Sequence, residues 1–227
     1  MATTSRAKKS SKKKSSGSAR NAVAIGRSSS RQNANGKSTG ARPSALSLRD
    51  AIEMARTMID AERASRDKAL HVFDALPVVE LDFMFGKWKG SGINTDHPMD
   101  GLLENYAWYG KEFIDADNVH PLLFETGSGK LFIVNPALMP MGLALTQQWL
   151  KLPFMRLLFR AFRFLISTKK TKARLRMTEL RGKSTATMCY DSLPIHDVFR
   201  KVDENTVMGY MDFKHMDDPF FFALRRI

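Results

Sequence analysis

A chain of 227 residues, 43% of them hydrophobic, is long enough for one well-cored domain with a tail. The net charge of +13 is confined: residues 1–44 hold 11 Lys and Arg and no acid, while the rest is nearly balanced, so only the tail has the composition of a polyanion binder. The single cysteine, Cys189, excludes an internal disulfide and a thiolate metal cluster, and the longest uncharged run, 131–150, is broken by Pro136, Pro140, Gln147 and Gln148 and makes a poor membrane span.

Residues 1–44 are rich in Ser, Lys, Arg and Gly and have almost no large apolar side chain, which predicts disorder. The cluster "RAKKSSKKK", 6–14, reads as a nuclear-localisation or polyanion-binding run, as a solvated linker, or as part of an organelle-targeting segment. With no secretory signal, the expected compartment is the cytoplasm, or the nucleus or an organelle if the tail is an address. From Ser47 the pattern turns helical. Ser47 stands three before Asp50 as in a capping box, and Ile52, Ala55, Met58 and Ile59 follow at helical spacing. A second helical stretch, "RDKALHVFDAL", ends at Pro77.

Strands follow from Val78. "VELDFMFGKWKG", "NYAWYGKEFI", "PLLFE" and "KLFIVN" are short, aromatic or β-branched, and separated by turn residues. Residues 138–166 return to helix. Pro153 marks a start there, with Phe154, Leu157, Leu158, Ala161, Phe162 and Leu165 on one stripe and Arg156, Arg160 and Arg163 on another. Five further strands come next: "ARLRMTEL", "KSTATMCY", "IHDVFRKV", "VMGYMDF" and "FFFALRRI". Their links, "RG", "DSLP", "DENT" and "KHMDD", are short enough for an antiparallel meander. The expected organisation is a tail, 1–44, and a single barrel domain, 45–227. Within the latter, 78–135 and 172–227 are β and 138–166 is a helical insertion.

"FGKWKGSGINTDHPMDGLLENYAWYGKEF" resembles the GXWXG domain, with Gly86, Trp88 and Gly90 at its signature positions. "RGKSTATMCYDSLPIHDVFRKVDENTVMGYMDFK" is similar to the uncharacterised domain that usually follows it. The resemblance implies a mainly β (α+β), lipocalin-like antiparallel barrel with an internal pocket, an N-terminal helix and a helical insertion; it implies no reaction. In such barrels a tryptophan from the first strand plugs the closed end, and nearby glycines let the strand bend. Trp88 is read in two ways, as this plug or as a side chain that stacks on a ligand.

Turn lengths set an expected register. Reading "RG" as a two-residue loop pairs Leu175 with Met188. Reading "DSLP" as four residues pairs Tyr190 with Ile195 and Met188 with Asp197. Reading "DENT" as four pairs Val202 with Val207, Phe199 with Tyr210, and Asp197 with Asp212. The expected inner face therefore carries Met188, Tyr190, Phe199 and Tyr210 as ligand contacts, with Trp88. Asp197 and Asp212 form an acid/base or anchoring dyad that shares one proton. The bland alternative is that each carboxylate accepts hydrogen bonds from turn backbone or an arginine.

His196 falls on the other face from Asp197, and His71, His97, His120 and His215 stand at no ligand spacing, so neither a metal nor a cofactor is expected. There is no P-loop, nucleophile elbow or dinucleotide fingerprint. Three functions remain open. The first is binding of a hydrophobic small molecule or lipid, with the basic helix at 153–166 touching an anionic membrane. The second is an isomerase, cyclase or hydrolase acting on such a ligand through Asp197 and Asp212. The third is nucleic-acid association through the polyanion-binding tail.

Overall fold

The computed structural model describes residues 46–139 and 148–227. The predicted disorder of 1–44 and residues 140–147 of the 138–166 insertion lie outside the described residues. Residues 43–227 group as one compact unit.

Helix α1, Leu48–Ala61, begins where the capping signal stands: Ser47 Oγ accepts from Asp50 N at 3.2 Å. It buries Ala51, Ala55, Met58 and Ile59 on one face. Helix α2, Arg66–Ala75, is capped by Ser65 and buries Ala69, Val72 and Phe73. Nine antiparallel strands follow. β1 is Gly86–Ile93, β2 Trp108–Phe113, β3 Val119–Glu125 and β4 Leu131–Ile133; a short helix α3, Leu102–Asn105, precedes β2. The meander is β5 Ala173–Leu180, β6 Lys183–Tyr190, β7 Ile195–Asp203, β8 Thr206–Phe213 and β9 Phe220–Arg226. The first strand is shorter at its start than expected, because Asp82–Met84 forms a 3-10 turn and the chain enters β1 only at Gly86.

The sheet runs β2-β1-β9-β8-β7-β6-β5-β3, and β2 pairs with β3, so eight strands close into a barrel. β4 lies outside the ring, on the edge of β3. Closure between β3 and β5 rests on one residue pair, Val119 with Ala173; beyond it β4 takes over the β3 edge, pairing Ile133, Phe132 and Leu131 with Leu123, Phe124 and Glu125. Two apolar cores result. One fills the barrel. The other lies outside it, where α1 and α2 cover Val198, Val202, Met208, Phe221 and Ala223 of β7, β8 and β9.

Trp88 is fully buried and donates from Nε1 to Met84 O at 2.7 Å, with the Arg226 guanidinium 4.2 Å from its ring centroid. It plugs one end of the barrel and is not among the residues that line the cavity at the other, so the ligand-contact reading of Trp88 is corrected. The glycine two residues on has a specific reason: a Cβ at Gly90 would overlap the Trp108 ring. Gly110 opposite has φ +145, and a Cβ there would overlap the Trp88 carbonyl oxygen.

The expected register holds between β5 and β6, where Leu175 pairs with Met188, and between β6 and β7, where Met188 pairs with Asp197. It fails between β7 and β8. Asp203 pairs with Thr206 across a two-residue loop, but Lys201 then pairs with Val207, because Val202 is an extra residue in β7. The slip of one residue turns every β8 side chain to the opposite face from that expected. Asp197 meets Met211, Phe199 meets Gly209, and Asp212 stands opposite His196, both exposed on the outer surface. Tyr210 packs outside the barrel against Phe73 and Phe221. The Asp197–Asp212 dyad and the inward Tyr210 are therefore corrected.

Candidate functional site

The barrel is filled at the Trp88 end and hollow at the other. Met84, Phe113, Leu175, Met188, Phe199 and Val207 pack the filled end, and none has exposed surface. Met188 and Phe199, expected to touch a ligand, belong to this packing and do not line the cavity. The hollow end encloses a cavity of about 290 Å³. Its wall is apolar: Met99, Leu102 and Tyr106 from the α3 region, Leu122 and Phe124 from β3, and Ile195, Met211, Phe220 and Phe222 from the meander. Across its mouth lies the insertion: a 3-10 turn, Gln148–Lys151, then α4, Pro153–Ala161, and α5, Arg163–Ile166. Met155, Leu158, Phe159, Phe162 and Ile166 face the cavity.

This cover is fastened at its two ends. Tyr106 donates to Leu150 O at 2.7 Å on one side. On the other, Asn135 N donates to Ile166 O at 2.8 Å and Thr168 N to Ile133 O at 3.0 Å, tying the segment to β4. Between these points Phe159 packs its ring on Tyr106 at 4.9 Å and on Phe124 at 5.1 Å between centroids.

Polar groups converge at one place in the wall. Lys111 Nζ lies 2.7 Å from Asp197 Oδ2, with the side chains 3% and 1% exposed. The ammonium also donates to Pro121 O at 3.2 Å and stands 3.5 Å from Tyr190 Oη. The rings of Trp108, Tyr190 and Phe222 surround it with centroids at 5.5, 5.6 and 5.3 Å. Lys111, Asp197, Tyr190 and Trp108 all line the cavity. Asp197 Oδ1 and Trp108 Nε1 are buried and have no hydrogen-bond partner among the described residues. Burial pushes the Asp197 carboxyl above its ordinary value, and the Lys111 ammonium pulls it part of the way back. Burial, with the Asp197 charge adding to it, holds the Tyr190 phenol well above its ordinary range.

Of the residues expected at the site, Asp197 and Tyr190 line the cavity. Lys111 and Trp108 were missed, for one local reason. Strict alternation cannot put both on one face of β2 at a spacing of three, but the register steps on either side of Gly110, and both side chains turn inward. Burial pushes the Cys189 thiol upward, which fits a packed strand residue rather than a nucleophile. Among the described residues no three of His, Cys, Asp and Glu come together to hold a metal ion, and no helix is long and apolar enough to cross a membrane.

The profile of the GXWXG protein family matches residues 71–129, which span the Trp88 plug and β2. A domain of unknown function, DUF4334, matches residues 171–226, the whole meander. The chain belongs to the GXWXG family. A crystal structure of a protein from Thermomonospora curvata is similar to this GXWXG chain at 30% identity and a TM-score of 0.60, covering 78% of this chain and 99% of that one. No curated protein matches the chain.

Proposed function

We propose that this barrel binds a small, neutral, hydrophobic molecule with one hydroxyl-like end. The observation that carries the reading is the cavity itself: a largely apolar chamber with a buried polar cluster of Lys111, Asp197, Tyr190 and Trp108 in its wall. A volume of about 290 Å³ lies near the lower end of the range of small-molecule pockets. Charge supports neutrality. Lys111 and Asp197 already offset each other, so a carboxylate ligand would bring an uncompensated charge into a dry site. Among the described residues Asp197 Oδ1 is an acceptor and Trp108 Nε1 a donor without a partner, and a hydroxyl, which both donates and accepts, can pair with either.

The test is native mass spectrometry of the purified protein with solvent extraction, followed by displacement of an apolar fluorophore by an alcohol and a carboxylic acid of equal chain length. A one-to-one neutral adduct and displacement by the alcohol, but not the acid, is the expected result. An empty cavity and no displacement by either compound would overturn it.

The buried Asp197, its carboxyl pushed upward by burial, stands with Tyr190 against the Lys111 ammonium and favours a second reading, an enzyme that moves a proton on the same ligand. Conversion of the extracted ligand on incubation with the protein would select this reading over simple binding.

A further inference from the structure

The outer face of the insertion is apolar, although nothing among the described residues covers it. Of the fourteen large hydrophobic side chains exposed among the described residues, nine lie between Leu138 and Leu165. Leu157 is 69% exposed and Phe164 71%, and no residue of α4 or α5 is buried. Concentration of exposed apolar surface on one element marks an interaction face.

The charges along this stretch of chain are of one sign. From Thr126 to Thr178 the chain has ten Lys and Arg and no acid, whereas the rest of 45–227 has fifteen basic and 23 acidic residues. Arg156, Arg160, Arg163 and Lys169 form no ion pair among the described residues. An apolar stripe with cations beside it, on a helical segment that is not a membrane span, is the pattern of an element lying in the plane of a bilayer interface.

We propose that residues 148–166 form a docking surface for anionic phospholipid bilayers, inserting Leu157, Phe164 and Leu165 among the acyl chains while Arg156, Arg160 and Arg163 meet the headgroups. The same charges disfavour the other occupants. A second copy docked face to face would bring the arginines of one stripe up against those of the other, with no acid in either segment. The N-terminal tail, with 11 basic residues and no acid, would be repelled. A nucleic acid would meet the cations but leave the apolar stripe wet. Leu158 and Phe162 belong both to this face and to the cavity wall, so the surface adjoins the chamber mouth.

The test uses the full-length chain with vesicles of phosphatidylcholine alone and of phosphatidylcholine mixed with phosphatidylserine, part of each set carrying brominated acyl chains. Trp149 is the exposed tryptophan among the described residues and sits in the segment, while Trp88 and Trp108 are buried in the barrel. The expected result is sedimentation with the phosphatidylserine vesicles together with quenching of tryptophan fluorescence by bromine. Replacing Arg156→Gln, Arg160→Gln and Arg163→Gln together should lower partitioning on the order of a hundredfold. Leu157→Ser with Leu165→Ser changes only exposed positions and should abolish quenching. Sedimentation without quenching would assign the contact to the basic tail and overturn the proposal. So would self-association that the Leu157→Ser, Leu165→Ser variant removes, or partitioning unchanged in both variants. No ligand enters the measurement, so its outcome is independent of the reading of the cavity.

Discussion

Lys111 and Asp197 come from strands that simple alternation does not bring together, and their pairing changes the chemistry expected of the site. Two carboxylates sharing a proton would relieve strain when one is neutralised; a carboxylate held by an ammonium does not behave that way. Lys111→Met leaves Asp197 buried without its counter-charge, and a loss of about 3–5 kcal/mol is expected near neutral pH. The direction with pH follows from the carboxyl. Its folded pKa is already raised by burial and rises further without the ammonium. Stability of Lys111→Met is therefore fullest below the ordinary carboxylate pKa and is lost as pH rises through the folded value. Urea midpoints across a pH series check this, with Lys111→Met, Asp197→Asn as the flat reference. A midpoint for Lys111→Met that does not move with pH would mean that Asp197 finds another partner. Asp197 and Tyr190 were legible because β6 and β7 are regular where they face each other. Lys111 was not, because Gly110 looks like an ordinary small residue until its φ of +145 is seen.

Strands and helix starts were legible at the scale of elements, because each carries a local signal. Ser47 caps α1, Pro153 opens α4, and the limits of β5 and β6 coincide with the expected runs. Register between neighbours carries no such signal where the backbone takes an extra residue. The Val202 bulge sits beside a well-formed turn, in which Asn205 N donates to Asp203 Oδ1 at 3.0 Å, and only the pattern of β8 hints at it. Val207, Met211 and Phe213 make a consistent inner set once Asp212 is left outside. Asp212→Asn should therefore shift stability by no more than about 0.5 kcal/mol in thermal melts. Deleting Val202 would leave Lys201–Val207 and Asp203–Thr206 in register but remove the bulge and the side chain packed under the helices, and a loss of roughly 1–3 kcal/mol in urea unfolding is expected. An unchanged urea midpoint would show that the bulge is dispensable.

Taken whole, the chain was legible as a barrel with one basic, partly helical interruption. The arginine stripe of 153–166 was visible, but the absence of any acid from 126 to 178 becomes informative only when the fold gathers the acids elsewhere. The closure of the sheet was not legible, since it joins residues far apart. β1 lies beside β9, with Gly90 opposite Leu224, more than half the chain away. Ala223→Pro, in the middle of β9, would remove an N–H between two partner strands. It should leave a chain without a cooperative melt by circular dichroism, whereas a normal melt would show that the ring tolerates an opening there. The pairing also has a consequence in time. Strands β5 to β8 are joined by short turns and can zip locally, and β1 can pair with β2, but the other edge of β1 must wait for β9. Barrel completion is thus a late event of high contact order, and refolding on the millisecond-to-second scale or slower is expected. While the chain is being made, the edge of β1 beside Trp88 therefore stays open until β9 has been added.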